Sequence, residues 1–404
     1  MLQSKYRLIL VLLISVIASS LMIFCVSPAI ADRVFLDLSL DFLAEYRLPD
    51  LNLEPPVGGL TAITYDRQRD RFYALCNDQN QYAPARFYTL KLTINGTPAV
   101  APAAALSKFN ATDTEKTGIQ IDIESVTFLT DKDGKTYAKG TINPEGIALT
   151  PQQTLFISSS SLAPSVQEFD LSGKLRTSLP VPERYLPDAG NEVERTRGVQ
   201  DGSGFASLTL NPTGTIPASG EPIRLFTATK TALVQDRPLS SKQGARSRFL
   251  HYLIGYGPPV LIAEHFYPIE PPPSGATSSG LVELLAVDTG GHFLSLERSK
   301  ASSGFNIQLF QMTTGGATDT SKVTSLKGSL NGIRPLKKKL LLDLNKLGIP
   351  LDNLQGMALG PRLSDGTQSL ILVSNNDFAQ QATQFLLFRL NRSQPMMPIR
   401  STVR

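Results

Sequence analysis

Apolar positions fall in short runs along the chain, and almost none of the runs shows the three-to-four residue spacing of an amphipathic helix. One short pattern recurs instead: apolar, variable, small, apolar, small-or-Thr, apolar. It occurs as Leu60-Thr61-Ala62-Ile63-Thr64-Tyr65, Ile123-Glu124-Ser125-Val126-Thr127-Phe128 and Pro144-Glu145-Gly146-Ile147-Ala148-Leu149. It returns as Phe205-Ala206-Ser207-Leu208-Thr209-Leu210 and Leu354-Gln355-Gly356-Met357-Ala358-Leu359, with a weaker copy at Val282-Glu283-Leu284-Leu285-Ala286-Val287. Most copies precede a turn and a fully apolar run, such as Phe72-Tyr73-Ala74-Leu75 or Leu155-Phe156-Ile157-Ser158. A third run then alternates, as in Val166-Gln167-Glu168-Phe169-Asp170-Leu171, which marks a half-buried strand. Asp133-Gly134, Ser172-Gly173, Asn331-Gly332 and Asp365-Gly366 supply turn signals between runs.

A first strand rich in small residues, an apolar second and an alternating third form the gradient of a propeller blade. The inner strand is crowded, the middle strand is covered on both faces, and the outer strand meets water. The chain is therefore read as an all-β propeller of five or six blades, with six preferred. Five signatures begin near residues 60, 144, 205, 282 and 354. The copy at Ile123 is a degenerate sixth blade or an extra hairpin. The segment Val34 to Leu48 is expected to pair with the last blade and close the ring, removing an exposed edge. A two-sheet sandwich is the structural alternative. Leu340 to Leu347 reads either as a helical turn or as an outer strand.

The N-terminus alters the setting. Lys5 and Arg7 precede an apolar run from Leu8 to Val26, and Ala29-Ile30-Ala31 offers a cleavage site before Asp32. Residues 1–31 are read as a signal peptide, 32–394 as the propeller and 395–404 as a flexible tail. The protein is expected in the periplasm or secreted, with no stable membrane insertion after cleavage; an uncleaved anchor is the other reading. Charge is nearly balanced, 39 Lys and Arg against 35 Asp and Glu, which argues against nucleic acid as a partner. Only Cys76 survives cleavage, and its apolar neighbours place it in the core. Three isolated histidines and the lack of C-x-x-C leave no zinc pattern.

Asn143-Pro144-Glu145-Gly146-Ile147-Ala148, Leu294-Ser295-Leu296-Glu297-Arg298, Gly356-Met357-Ala358-Leu359-Gly360-Pro361 and Ser374-Asn375-Asn376-Asp377-Phe378 together resemble the phytase-like family of bacteria and cyanobacteria, whose domain is described as "esterase-like activity of phytase". The resemblance runs from about Gly58 to Leu390. It implies a propeller, ester or phosphoester hydrolysis, and calcium held by carboxylates at the channel mouth. The chain departs from the family at several acidic places: Ala206 and Gln355 stand where Glu is usual, Ser159-Ser160 replace Asp-Glu, and Asn375 opens the Asn-Asn motif.

The chemistry expected is that of a calcium-dependent hydrolase acting on a small anionic or ester substrate. Catalytic candidates are Glu145, Glu124, Lys230 and Arg298, the last two as an anion clamp. Metal candidates are Asp78, Asp122, Glu124, Glu145, Glu283 and Asp377, since calcium takes six to eight oxygen ligands. No G-x-S-x-G elbow and no P-loop is present. The competing reading is a non-catalytic binding propeller that has lost part of its acidic site.

Overall fold

The computed structural model describes residues 35–49, 51–94, 118–190, 194–211, 222–240, 242–379 and 382–392. The expected signal peptide with its cleavage site, and the expected tail, lie outside the described residues. No helix among the described residues is long and apolar enough to cross a membrane.

Strand β1 (Leu38–Leu48) comes first and waits for the last blade. The first blade is β2 (Leu60–Asp66), β3 (Arg71–Cys76), β4 (Arg86–Ile94) and β5 (Ile119–Phe128). The second is β6 (Pro144–Leu149), β7 (Thr154–Ser159), β8 (Ser165–Asp170) and β9 (Leu175–Ser178). The third is β10 (Phe205–Leu210), β11 (Ile223–Thr229), β12 (Arg246–Ile254) and β13 (Val260–Pro268). The fourth is β14 (Ala276–Ala286), β15 (His292–Ala301), β16 (Gly304–Thr313) and β17 (Lys337–Asp343). The fifth joins β18 (Leu354–Arg362), β19 (Gln368–Ser374) and β20 (Thr383–Arg392) to β1, in the order β1-β20-β19-β18. Each blade is antiparallel throughout, and the N-terminal strand closes the ring from Leu38↔Arg392 to Leu48↔Thr383.

The inner strands β2, β6, β10, β14 and β18 pack side by side around one axis. Five apolar clusters fill the spaces between successive blades. Cys76 lies in one of them, where full burial pushes its thiol up to about 12, so it is an inert core residue.

The ring thus has five blades, and the Ile123 copy is not an inner strand. It belongs to β5, the outermost strand of the first blade, paired with β4 through Leu90↔Ile123. Its sequence resembles an inner strand because both alternate apolar and small polar residues. Burial tells them apart: in β5 the residues from Asp122 to Glu124 alternate with no fully buried member. Leu340 to Leu347 splits between the two expectations, since β17 runs to Asp343 and a 3-10 turn covers Leu344–Leu347.

Candidate functional site

Every inner strand carries a β-bulge at the same place, two residues into the repeat. The extra residues are Thr61, Glu145, Ala206, Val282 and Gln355. A bulge leaves its residue unpaired and re-aims the side chain, so one side chain per blade is turned out of the ladder at the same level. In four of the five blades the next residue is small, where it faces the neighbouring inner strand: a Cβ on Gly146 would lie 2.9 Å from the Leu208 amide nitrogen, and one on Gly356 2.9 Å from Ala62 Cα. Above this level, the end of each second strand contributes one further residue: Asn77, Ser160, Lys230, Arg298 and Asn375. Their backbones bond or pair with Gly59, Asn143, Gly204, Gly280 and Asn353, the residues that lead into the inner strands.

Glu145 sits in this setting, buried, at the bulge of β6. Its Oε1 accepts from Asn77 Nδ2 of the first blade at 3.2 Å and from Ser160 Oγ of its own blade at 3.0 Å. Asn143 Nδ2 in turn donates to Ser160 Oγ at 2.6 Å. Arg298 arrives from the fourth blade, also buried, and donates from Nη1 to Asn353 Oδ1. Burial holds its guanidinium below its usual range, and the carboxylates of Glu145 and Asp377 oppose that shift, so all three share one electrostatic neighbourhood. The Nε of Arg298 and the Oδ1 atoms of Asn77 and Asn143 are buried with no hydrogen-bond partner among the described residues. Asp377, with φ of 48°, accepts from Asn353 Nδ2 at 3.4 Å. Lys230 has its stem beside Gly280, where a Cβ would lie 3.0 Å from Lys230 Cγ.

The other candidates are placed differently. Asp122 and Glu124 lie on the outer strand β5, away from the axis; Glu124 pairs with Arg71 and Asp122 accepts from Gln120 at 3.1 Å. Asp78 is buried against Arg86 and cannot turn to the axis without stranding that guanidinium. Glu283 requires a shift of register. The ladder pairs Leu281 with Glu297 and Glu283 with Leu296, so Val282 takes the bulge and Glu283 stands where the other blades have Ala62, Gly146, Ser207 and Gly356. Its carboxyl group reaches the backbone amides of Leu284 in its own strand at 2.9 Å and of Leu208 in β10 at 3.4 Å, and that of Met357 in β18. Burial raises its pKa well above 4.5, the three amides pull the other way, and Glu145 raises it further. Glu283 ties three inner strands together, with its Oε1 accepting from the Leu208 and Leu284 amides.

Sequence reasoning missed Asn77, Asn143, Ser160 and Asn353. Aligning the ends of the second strands would have found Asn77 and Ser160, because they share one register place with Lys230 and Arg298.

At the opposite end of the axis the inner strands enclose a cavity of about 490 Å³, lined by Thr64, Leu149, Thr209, Leu285 and Met357 among others. None of the acidic candidates lines it.

Calcium does not fit the residues that are present. Among the described residues no three of His, Cys, Asp and Glu gather as metal ligands. Of the six expected carboxylates, only those of Glu145 and Asp377 remain near the axis and uncommitted to a cation or to backbone amides, and both already act on the Arg298 guanidinium. Calcium takes six to eight oxygens. No chemical step is derived through it.

Five antiparallel four-stranded sheets arranged as a ring define the class as a five-bladed β-propeller. The chain belongs to the phytase-like family, whose model, "Esterase-like activity of phytase", matches residues 55–378. No curated protein matches the chain. Among solved structures it is similar to a GH62 hydrolase in complex with xylotriose, at 7% identity and a TM-score of 0.42, over 86% of this chain and 97% of that one. It is also similar to the PQQ-bound aldose sugar dehydrogenase of Streptomyces coelicolor, at 10% identity and a TM-score of 0.35, over 88% and 99%. A protein of unknown function from Dyadobacter fermentans is similar at 8% identity and a TM-score of 0.38, over 87% and 100%.

Proposed function

We propose that this propeller is an exported hydrolase that cleaves an ester carrying an anionic group, a phosphoric ester first of all. The observation that carries the reading is Arg298: a buried guanidinium beside Glu145, with an Nε that has no partner. A buried donor left unmade costs about 1–3 kcal/mol unless something fills it, and an anionic oxygen is the strongest acceptor for a guanidinium N–H. Lys230, from the preceding blade, adds a second positive charge.

Arg298 and Lys230 hold the anionic group. Glu145 has its Oε1 engaged by Asn77 and Ser160, and its Oε2 accepts no hydrogen bond among the described residues. Oε2 takes a proton from a water as that water's oxygen bonds to the phosphorus or acyl carbon. The bond to the leaving oxygen breaks, the electron pair stays on that oxygen, and the alkoxide takes up the proton held on Oε2, which frees Glu145 for the next turnover. Such general-base assistance contributes typically 10²–10⁴-fold.

The test is turnover of 4-nitrophenyl phosphate and 4-nitrophenyl acetate, in EDTA and in calcium. The expected result is hydrolysis that persists in EDTA and falls about 100-fold or more in Glu145→Gln. A folded protein that is silent on both esters contradicts the hydrolase reading and favours the binding propeller. Export is checked by N-terminal sequencing of the protein from the producing cell: a start at Asp32 supports it, and a retained Met1 in the membrane fraction contradicts it.

A further inference from the structure

We infer that Ser160 and Asn143 are positioning residues that fix which oxygen of Glu145 reacts, an inference that rests on the hydrolase reading above. The direction of each hydrogen bond in the cluster is forced. An ionised carboxylate only accepts, so Asn77 must turn its Nδ2 toward Glu145, and the Ser160 hydroxyl must spend its one proton on the same Oε1. Ser160 Oγ can then only accept from Asn143, which turns Nδ2 toward it at 2.6 Å. The relay therefore runs one way, from Asn143 through Ser160 to Glu145.

Both serines of the pair have work in holding it. The backbone amide of Asn143 donates to Ser159 Oγ at 3.0 Å, and Ser159 passes its own proton to Ser161 Oγ at 3.1 Å. Ser160 also spans two blades, since the Gly204 amide of the third blade donates to its carbonyl oxygen at 3.2 Å. The relay is thus anchored on strand ends rather than on a mobile side chain. Its effect is to saturate Oε1 with two donors from two blades and leave Oε2 as the face of the carboxylate turned to the reaction. A carboxylate held by neutral donors needs no cation to keep it in place, which agrees with the poor fit of calcium.

The experiment compares Ser160→Ala, Ser160→Thr and Asn143→Ala with the wild type and Glu145→Gln, using 4-nitrophenyl phosphate in EDTA, with the fold checked by circular dichroism. Ser160→Ala is expected to lower kcat about ten- to hundredfold with KM nearly unchanged, because the anion clamp is untouched. Ser160→Thr, which keeps the hydroxyl, is expected to restore most of kcat, and Asn143→Ala to fall between them. A Ser160→Ala enzyme with wild-type kcat, or a Thr variant as slow as the Ala variant, overturns the relay while leaving the hydrolase reading intact. A wild type without turnover, or a Glu145→Gln enzyme of full activity, overturns the reading and the relay with it.

Discussion

Glu283 and Glu145 show how far one residue's fate depends on a single step of register. Both are inner-strand glutamates, yet Glu145 occupies a bulge and Glu283 the small-residue place beside it. A one-residue slip turns a side chain to the other face, and the slip is invisible in Val282-Glu283-Leu284, where two alignments read almost equally well. The consequence is testable by pH. The raised pKa of Glu283 means that, above the unfolded value of 4.5, the folded state keeps a proton that the unfolded chain has lost. Stability therefore falls as pH rises through that window. Glu283→Gln keeps an acceptor for the amides and removes the titration, so urea unfolding is expected to show a flatter pH profile than wild type from pH 5 upward. His251 acts in the opposite sense. Its ring lies 4.3 Å from that of Phe226, and burial, with smaller contributions from Arg224 and His265, lowers its pKa to about 4 from 6.5. Between those values the unfolded chain binds the extra proton, so stability falls as pH drops. His251→Phe is expected to remove that part of the acid sensitivity, and retention of the full acid slope would contradict the assignment.

At the scale of elements, the inner strand is where most of the site was legible. Pro144-Glu145-Gly146 marks a strand start with an acid and a forced glycine, and the structure places Glu145 in the polar cluster. Glu124 was not distinguishable, because small-and-apolar alternation fits a partly exposed outer strand as well as an inner one. Asn77 and Ser160 were hidden for a different reason. They are neutral, and what brings them to Glu145 is the common end point of second strands in different blades, a relation that only the ladder reveals. Ser159-Ser160 was visible as a departure from the family; its use as a donor pair needed the hydrogen bonds. The bulge itself makes a prediction. In Gly146→Ala the new Cβ would lie 2.6 Å from Ser158 Oγ and 2.9 Å from the Leu208 amide nitrogen, and overpacking of this kind costs about 1–3 kcal/mol. Denaturant unfolding of this variant is expected to show a loss in that range, whereas wild-type stability would contradict the tight approach of the second and third inner strands.

The ring as a whole depends on closure. Without β1 the fifth blade would end at β20, with a row of unpaired backbone groups open to other chains. The sequence made this closure visible, because the alternating segment before the first inner strand has no other partner, whereas the blade count was not, because the Ile123 copy imitates a sixth start. Closure is held by side chains as well as by the ladder: Phe42 is buried, and its ring lies 5.5 Å from that of Phe388. Phe42→Ala is expected to cost about 3 kcal/mol or more in unfolding free energy, together with a rise in concentration-dependent association as the edge frays. Closure also fixes the axis, and the axis is what brings Glu145, Arg298 and Asp377 together from the second, fourth and fifth blades. The measurement that meets this claim most directly is a crystal structure with inorganic phosphate soaked in and no divalent cation present. Density for the anion within hydrogen-bonding distance of Arg298, on the side of Glu145 Oε2, is the predicted result. An axis that binds no anion while Arg298 Nε bonds to another protein group, or an Arg298 turned away from Glu145, would contradict the account.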